Sequence, residues 1–311
     1  MKRAITAGIA ALAFTLTGLP ANAADIRIGL QEDPDVLDPH EARTFVGRIV
    51  FNLLCDKLVD TDEKLEFVPR IATSWSFSDD GKAMTLKLRS GAKFHDGTAL
   101  DSAAVKANIE RAKTHETSRR KSELKSVESV EAPDAETVVF KLAAPDATRL
   151  AQLSDRAGML LSPASFDKPI GPSPVCSGPY KFVERVQNDR IVLTRFADHW
   201  EADKYAFDNV TFRIIPDTTV RLANLRSGEL DMIERLAPSD VKSANADPTL
   251  QVVSIAGLGY QGITINVGNG DRSKTPLGQD RRVRQALSLA IDRMAINDVV
   301  FEGIMTPSAQ P

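Results

Sequence analysis

Short runs of alternating apolar residues, joined in pairs by tight-turn sequences, constrain the fold of this 311-residue chain most strongly. Asp79-Asp80-Gly81 separates one such pair of runs, while Pro133-Asp134 and Asn188-Asp189 separate two more. These residue types favour the reversed backbone of β-hairpins. Helical patterns lie between the hairpins, for example over 102–113, where Asp101 is a good N-cap. We therefore predict a mixed α/β fold.

The stretch from Ile263 onwards combines a strand pattern, a loop and helical patterns near the end of the chain. Ile263–Val267 is β-branched and alternating, which predicts a strand. After a Gly-rich loop, apolar residues recur at helical spacing over 281–291. Asp292 predicts the N-cap of a second helix, and Gly303 its end. We interpret this stretch as the place where the chain leaves one lobe and begins another.

The first 23 residues have the pattern of a secretory signal peptide. Lys2 and Arg3 precede an uncharged apolar run over 4–19, and Ala21-Asn22-Ala23 offers small residues at the cleavage positions. The apolar run is short for a bilayer span, and charged sequence follows it. We therefore predict an exported protein that starts at Ala24 rather than a membrane-anchored one.

The charge of the chain limits which binding partners are expected, and its cysteines depend on the redox state of the compartment. The formal net charge is −3 and both signs are mixed along the chain, which argues against nucleic acid or an anionic membrane as the main partner. Export would place Cys55 and Cys176 in an oxidising compartment. Two separate buried thiols remain one possibility. A Cys55–Cys176 disulfide is the other, and it would stabilise the fold by about 2–4 kcal/mol.

No sequence motif indicates catalysis, a cofactor or a metal. Gly257-Leu258-Gly259-Tyr260-Gln261-Gly262 matches the dinucleotide pattern, but a strand pattern follows where a helix N-terminus is needed. The four histidines form no zinc pair, and neither a Cys-X-X-Cys site nor a Gly-X-Ser-X-Gly elbow occurs. His95-Asp96 suits an acid/base pair, although we favour a polar turn before a capped helix. We expect a non-enzyme without cofactor or metal.

Four segments taken together resemble the extracellular solute-binding proteins of ABC importers, in the dipeptide/oligopeptide-binding class known as family 5. They are 93–98 with the helix 105–111, 177–182, 221–233, and Asn266 with 281–287. The segments keep the order and rough spacing of the family over essentially the whole mature chain. Cys176-Ser177 departs from the more usual Gly-Thr pair, which favours a structural role for Cys176.

The resemblance implies a periplasmic-binding-protein-like fold of two lobes joined by crossing strands. It implies a signal peptide at 1–23, a lobe I core at 24–45 and 174–262, and an extra subdomain at 46–173. The crossover and the start of lobe II would occupy 263–311. Family members continue well beyond this length, so we expect the second lobe to be incomplete and apolar area on the helix after Arg281 to be exposed.

The resemblance also implies a function. A periplasmic monomer would hold a peptide-like solute between its lobes and deliver it to an inner-membrane ABC permease with its ATPases. Peptides, glutathione, opines, metal chelates and sugars remain open as the solute. An exported α/β hydrolase is the alternative from another class, and a sensor or chaperone on the same scaffold is a third.

Candidate ligand contacts lie on two segments. Gln31, Glu32 and Asp33 form the loop after the first strand, and a loop at the carboxyl end of a strand is a common ligand wall. Tyr260 lies before the crossing and has an amphipathic ring suited to peptides. A purely structural role is the alternative for each of the four. Ser177-Gly178-Pro179 is expected to shape the backbone rather than to contact solute.

Overall fold

The computed structural model describes residues 24–255, 259 and 261–308, so the predicted signal peptide and Tyr260 lie outside the described residues. The strands are β1 (Asp25–Leu30), β2 (Val59–Thr61), β3 (Phe67–Pro69), β4 (Ala72–Phe77), β5 (Ala83–Leu88), β6 (Val127–Asp134), β7 (Thr137–Leu142), β8 (Tyr180–Val186), β9 (Arg190–Arg195), β10 (Asn209–Ile214) and β11 (Met232–Ile233). The helices are α1 (Phe45–Leu54), α2 (Ser102–Thr114), α3 (Arg149–Leu153), α4 (Thr218–Arg226), α5 (Pro238–Asn245), α6 (Pro276–Gln279), α7 (Arg281–Ala290) and α8 (Arg293–Val300).

A mixed five-stranded sheet has the order β11-β1-β10-β9-β8. Strand β1 runs parallel to both β10 and β11, whereas β9 is antiparallel to its two neighbours. Helix α1 packs on this sheet with Val50, Phe51 and Leu54, which are buried together with Leu30 and Phe212. The sheet and α1 thus share one apolar core, which contributes roughly 25 cal/mol for each Å² of apolar surface removed from water.

A second sheet is antiparallel and has the order β4-β5-β7-β6. Helix α2 covers it and buries Val105 and Ile109 beside Phe94 and Phe140. Asp101 caps α2 as predicted, because its side chain accepts a hydrogen bond of 2.9 Å from the backbone N–H of Ala104. The described residues therefore contain two separate apolar cores, while the predicted domain limits stay a prediction.

The three predicted hairpins are confirmed. They are β4–β5, β6–β7 and β8–β9, each an antiparallel pair. Gly81 has φ +66° in the first turn and Asn188 has φ +59° in the third, which is the left-handed conformation that these two residue types tolerate best. Short-range turn chemistry was therefore sufficient to locate these hairpins.

The strand predicted over Ile263–Val267 is wrong, since residues 261–267 belong to no strand. A strand needs a partner for its backbone groups, and the described part of the chain places none beside this segment. No helix follows Gly262 directly, so the dinucleotide-binding motif lacks the helix that it would need. Helices α7 and α8 form as predicted, and Asp292 caps α8 with a hydrogen bond of 3.0 Å from Ala295.

Apolar exposure near α7 and α8 matches the expectation from the sequence. No residue of α7 is buried, and Leu289 and Val299 are each 80% exposed. Ile263 and Val267 are also exposed. Within the described ranges, no helix combines the length and the apolar character that crossing a bilayer would require.

Candidate ligand-binding site

The carboxyl ends of three parallel strands meet at one edge of the five-stranded sheet. Leu30 of β1 lies in register with Ile214 of β10, and Gly29 with Ile233 of β11. Two backbone hydrogen bonds continue past the strand ends: Ile215 N–H donates to Leu30 at 2.9 Å, and Glu234 N–H donates to Gly29 at 3.1 Å. The loops that follow the three strands therefore share this edge, which is where ligands commonly bind in open α/β sheets.

The predicted contacts Gln31, Glu32 and Asp33 lie on the first of these loops. Asp33 is only 6% exposed in its side chain and accepts hydrogen bonds from Arg185 Nε at 3.1 Å and from the Asn188 backbone at 2.9 Å. Through the Asp33 carboxylate these contacts tie the loop to the β8–β9 hairpin. Glu32 is exposed and Gln31 is half-buried, and contact of all three residues with a solute stays a prediction.

Glu234 occupies the corresponding position after β11 and was not singled out from the sequence. Its carboxyl is largely buried, and burial raises its pKa above the ordinary value. The attraction of Arg235, whose Nε lies 3.5 Å away, and a hydrogen bond from the Gln31 backbone oppose that rise. The only sequence signal for Glu234 was an acidic residue directly after a predicted strand. Many residues with a purely structural role have the same position, so this signal did not distinguish it.

Arg221, in helix α4, links the loop after β10 to the loop after β11. Its side chain is fully buried and donates to the carbonyl oxygens of Ile215 at 2.6 Å, Pro216 at 2.9 Å and Arg235 at 3.1 Å. Burial lowers the pKa of this guanidinium, while Glu234 and Asp217 favour its charged form. Charged groups are rarely fully buried without such partners, so Arg221 is a structural clamp for the edge.

Arg235 and Phe45 form a cation–π pair at the same edge. The Arg235 guanidinium carbon lies 5.2 Å from the centroid of the Phe45 ring, and that of Arg48 lies 5.8 Å from the same ring. Phe45 is the first residue of α1 and is 52% exposed. Arg48 is already engaged, because its Nε and one terminal nitrogen bond the Asp155 carboxylate at 2.9 and 2.6 Å. The edge thus presents an exposed aromatic ring close to two guanidinium groups.

His95 is not a free acid or base. Its Nε2 lies 2.9 Å from the Gly178 carbonyl, and its Nδ1 accepts a hydrogen bond of 3.3 Å from the Cys176 backbone. Burial lowers the pKa of His95 to about 4, so the imidazole is neutral near pH 7. Asp96 accepts hydrogen bonds from the Thr98 backbone at 3.0 Å and from Ser162 Oγ at 2.6 Å. These are the contacts of a polar turn.

The Cys176–Gly178 segment also packs against the end of α1. Cys55 and Cys176 form a disulfide with Cα atoms 4.8 Å apart, and both residues are buried. Gly178 N–H donates to the Leu54 carbonyl at 3.0 Å, and a Cβ atom at Gly178 would lie 2.6 Å from the Leu54 carbonyl carbon. The close approach explains why glycine stands at this position and why the segment shapes the backbone.

No ionisable cluster suits a metal in the described ranges, where at least three His, Cys, Asp or Glu side chains would have to converge. The groups that do converge at the sheet edge are guanidinium, carboxyl, amide and aromatic side chains. Such groups recognise polar organic solutes by hydrogen bonds, ion pairs and stacking. The geometry at this edge therefore fits the binding of a polar organic solute.

Comparison with known proteins identifies relatives of the whole described chain. The family model for bacterial extracellular solute-binding proteins, family 5 Middle, matches residues 66–311. The glutathione-binding protein GsiB of Pectobacterium atrosepticum is 32% identical over 279 residues, which cover 88% of this chain and 53% of that protein. GsiB of Escherichia coli K12 is 30% identical over 317 residues, which cover 99% and 60%. The chain thus spans little more than half the length of these relatives.

Solved structures show the same fold. The PBP AgaA of A. tumefaciens R10, in complex with agropinic acid, superposes with a TM-score of 0.77 at 28% identity, over 90% of this chain and 56% of that one. DppA of Helicobacter pylori, in complex with the peptide STSA, gives a TM-score of 0.79 at 25% identity, over 90% and 59%. The predicted mixed α/β, periplasmic-binding-protein fold is confirmed.

Proposed function

Because the chain belongs to the bacterial extracellular solute-binding proteins of family 5, we propose that it supplies one wall of the solute site in a periplasmic binding protein. The solute is peptide-like, and the protein delivers it to an ABC permease with its ATPase subunits. The observation that carries this proposal is the open edge where the β1, β10 and β11 strands end. Polar and aromatic side chains at this edge are exposed to solvent, while Arg221, which holds two of its loops, is fully buried.

The names of the relatives support the solute class. GsiB of E. coli is a glutathione-binding protein, and DppA of H. pylori was solved with a bound tetrapeptide. Glutathione and short peptides share amide groups, an amino group and carboxylates. The exposed edge around Glu32, Phe45 and Arg235 has complementary chemistry for all of these groups. Gln31 is a further candidate contact at this edge, and Tyr260, outside the described residues, stays a candidate from the sequence.

The proposal also covers export and partners. The protein leaves the cytoplasm with a signal peptide at 1–23, acts as a monomer and catalyses no reaction. Lobe I takes its core from 24–45 and 174–262 and carries an extra subdomain at 46–173, with the crossover into lobe II at 263–311. The alternative of an exported hydrolase loses its best candidate, because both nitrogens of His95 are bonded to the 176–178 segment.

A binding assay on the protein as its gene encodes it tests this function. Purified periplasmic protein is titrated with glutathione, dipeptides and tripeptides, and binding is followed by calorimetry and by thermal shift. We expect saturable binding of at least one compound, with a clear rise in melting temperature. Binding of none, or hydrolysis of a compound detected by chromatography, would reject the proposal.

A further inference from the structure

We propose that Arg235, which lies over the ring of Phe45, is a carboxylate-recognition subsite, so that the solute presents a carboxylate to lobe I. This inference rests on the proposed function and adds the chemical class of solute. It assigns the recognition to two residues that lie on different elements, the loop after β11 and the start of α1. The sheet brings them together at its carboxyl edge.

The terminal nitrogens of Arg235 are available. Its Nε lies 3.5 Å from the Glu234 carboxylate, and its two terminal amino groups have no hydrogen-bond partner among the described residues. Half of the side chain is exposed. A guanidinium presents parallel N–H groups that match the two oxygens of a carboxylate, and such bidentate pairs are among the strongest hydrogen bonds in proteins. Arg48, in contrast, already holds Asp155 in this manner.

The backbone of Arg235 is held in an unusual conformation. Its φ of +53° lies in the left-handed region, which is unfavourable for a residue with a Cβ atom. The fully buried Arg221 donates to the Arg235 carbonyl, and the same guanidinium also bonds the loop after β10. A strained residue that is fixed by buried contacts while its side chain faces solvent is typical of a functional position.

Phe45 holds the Arg235 guanidinium through a cation–π contact, with the guanidinium carbon 5.2 Å from the ring centroid. This contact uses none of the guanidinium N–H groups as hydrogen-bond donors to a polar atom. The neighbouring carboxylates, Glu32 and Glu234, repel a negatively charged solute. A solute carboxylate therefore binds only where its direct pairing with Arg235 outweighs this repulsion. The arrangement therefore selects a carboxylate that can reach the parallel N–H groups of Arg235, and it disfavours an anion that stays at a distance.

The test uses matched pairs of ligands. The same purified protein as in the binding assay is titrated by calorimetry with matched acids and amides. These are glutathione, glutathione amidated at either carboxylate, and Ala-Ala, Ala-Phe and their C-terminal amides. We expect at least one acid to bind about tenfold or more tightly than its amide, as a charge-assisted bidentate pair predicts. Arg235→Gln should remove this difference and leave the affinity for the amide within about twofold.

Three further variants complete the test. Arg235→Lys keeps the positive charge but loses the parallel N–H groups, so it should retain only part of the preference for the acid over its amide. Phe45→Leu should weaken acid binding severalfold. Arg195→Gln removes another half-exposed arginine, paired with Asp208 at the opposite end of the sheet, and should change nothing. Circular dichroism checks the fold of each variant.

The outcomes separate the two proposals. If an acid and its amide bind equally, or if Arg235→Gln preserves the preference for the acid, the subsite is rejected and the binding function stands. If the wild-type protein binds no compound of the panel, both proposals are rejected. If discrimination is lost in Arg235→Gln and kept in Arg195→Gln, the subsite is supported.

Discussion

Both ring nitrogens of His95 bond to backbone groups of the 176–178 segment, and burial lowers the pKa of the ring to about 4. His40 is also fully buried with a pKa lowered to about 4, and its Nδ1 accepts a hydrogen bond from Arg111 at 2.8 Å. Two buried histidines are thus held neutral in the folded chain. Their role is in stability, because a neutral ring fits the donor and acceptor pattern around it.

This arrangement predicts a pH-dependent stability. A pKa lower in the folded than in the unfolded chain means that unfolding takes up a proton between about pH 4 and 6.5. The free energy of unfolding should therefore fall as the pH drops through this window. Each histidine contributes a slope of up to about 1.4 kcal/mol per pH unit. Urea unfolding of wild type and His95→Asn at pH 4.5 to 7.5 measures the slope.

The variant isolates the His95 contribution from other titrating groups. Glu123 and Glu234 have pKa values raised by burial, so they act in the opposite direction, but equally in both proteins. His95→Asn should lower stability at neutral pH and show a shallower slope below pH 6.5. The two curves should run parallel above pH 7, which is the internal control. Curves that stay parallel down to pH 4.5 would contradict the assignment.

At the scale of elements, helix α4 supports the carboxyl edge through Arg221. The side chain links the loop after β10 to the loop after β11, and its Nε lacks a partner among the described residues. These loops have little apolar packing of their own: Ile215 is half-buried, while Pro216 and Arg235 are exposed. Backbone hydrogen bonds to β1 and the Arg221 guanidinium together hold the two loops, so helix α4 supports the proposed site.

Replacing that guanidinium should loosen the edge. Arg221→Met keeps much of the side-chain volume but leaves three carbonyl groups without their donor, and we expect a loss of about 3 kcal/mol or more. Amide hydrogen exchange should accelerate at 215–217 and 233–236. Arg226→Met, at the half-exposed end of the same helix, is the control and should cost less than about 1 kcal/mol. Unchanged exchange at both loops in Arg221→Met would disprove the clamp.

At the scale of the whole molecule, one disulfide links two segments that are far apart in the sequence. Cys55 follows α1 and Cys176 precedes β8, and they are 121 residues apart in sequence. The intervening chain contains the antiparallel sheet and α2, so the bridge closes a loop around an entire apolar core. In the unfolded chain such a link removes conformations, and losing it should cost about 2–5 kcal/mol.

Mass spectrometry tests the bridge directly. The purified protein is unfolded in denaturant, so that burial no longer protects a thiol, and is treated with an alkylating reagent. We expect no adduct without reductant and two adducts after reduction. A double Cys55→Ala, Cys176→Ala variant should unfold at lower urea concentration. Two adducts without reductant would show that the cysteines are free thiols.

The local features of this protein were accessible from its sequence. The three hairpins and the caps of α2 and α8 depend on turn and capping residues within a few positions, and they form as predicted. The family segments also indicated the correct fold, because they combine turn, cap and core residues in a specific order. Short-range chemistry does not depend on which element lies beside which.

The candidate site was only partly accessible. The loop of Gln31 to Asp33 was identified because it follows a strand, yet Asp33 pairs with Arg185 of a distant hairpin. Likewise, the β-branched residues of Ile263–Val267 form no strand, because propensity cannot supply a partner. A pattern describes what a segment can do, while its neighbours decide what it does.

Tertiary structure alone placed Phe45, Arg221 and Arg235 together. Phe45 begins a helix near the start of the chain, and Arg235 follows β11 far along it. Their contact exists because β11 pairs with β1, so that residues remote in sequence reach one sheet edge. Local sequence determines turns, caps and apolar faces through near-neighbour interactions. Strand order and burial determine the site, because they depend on the whole packed chain.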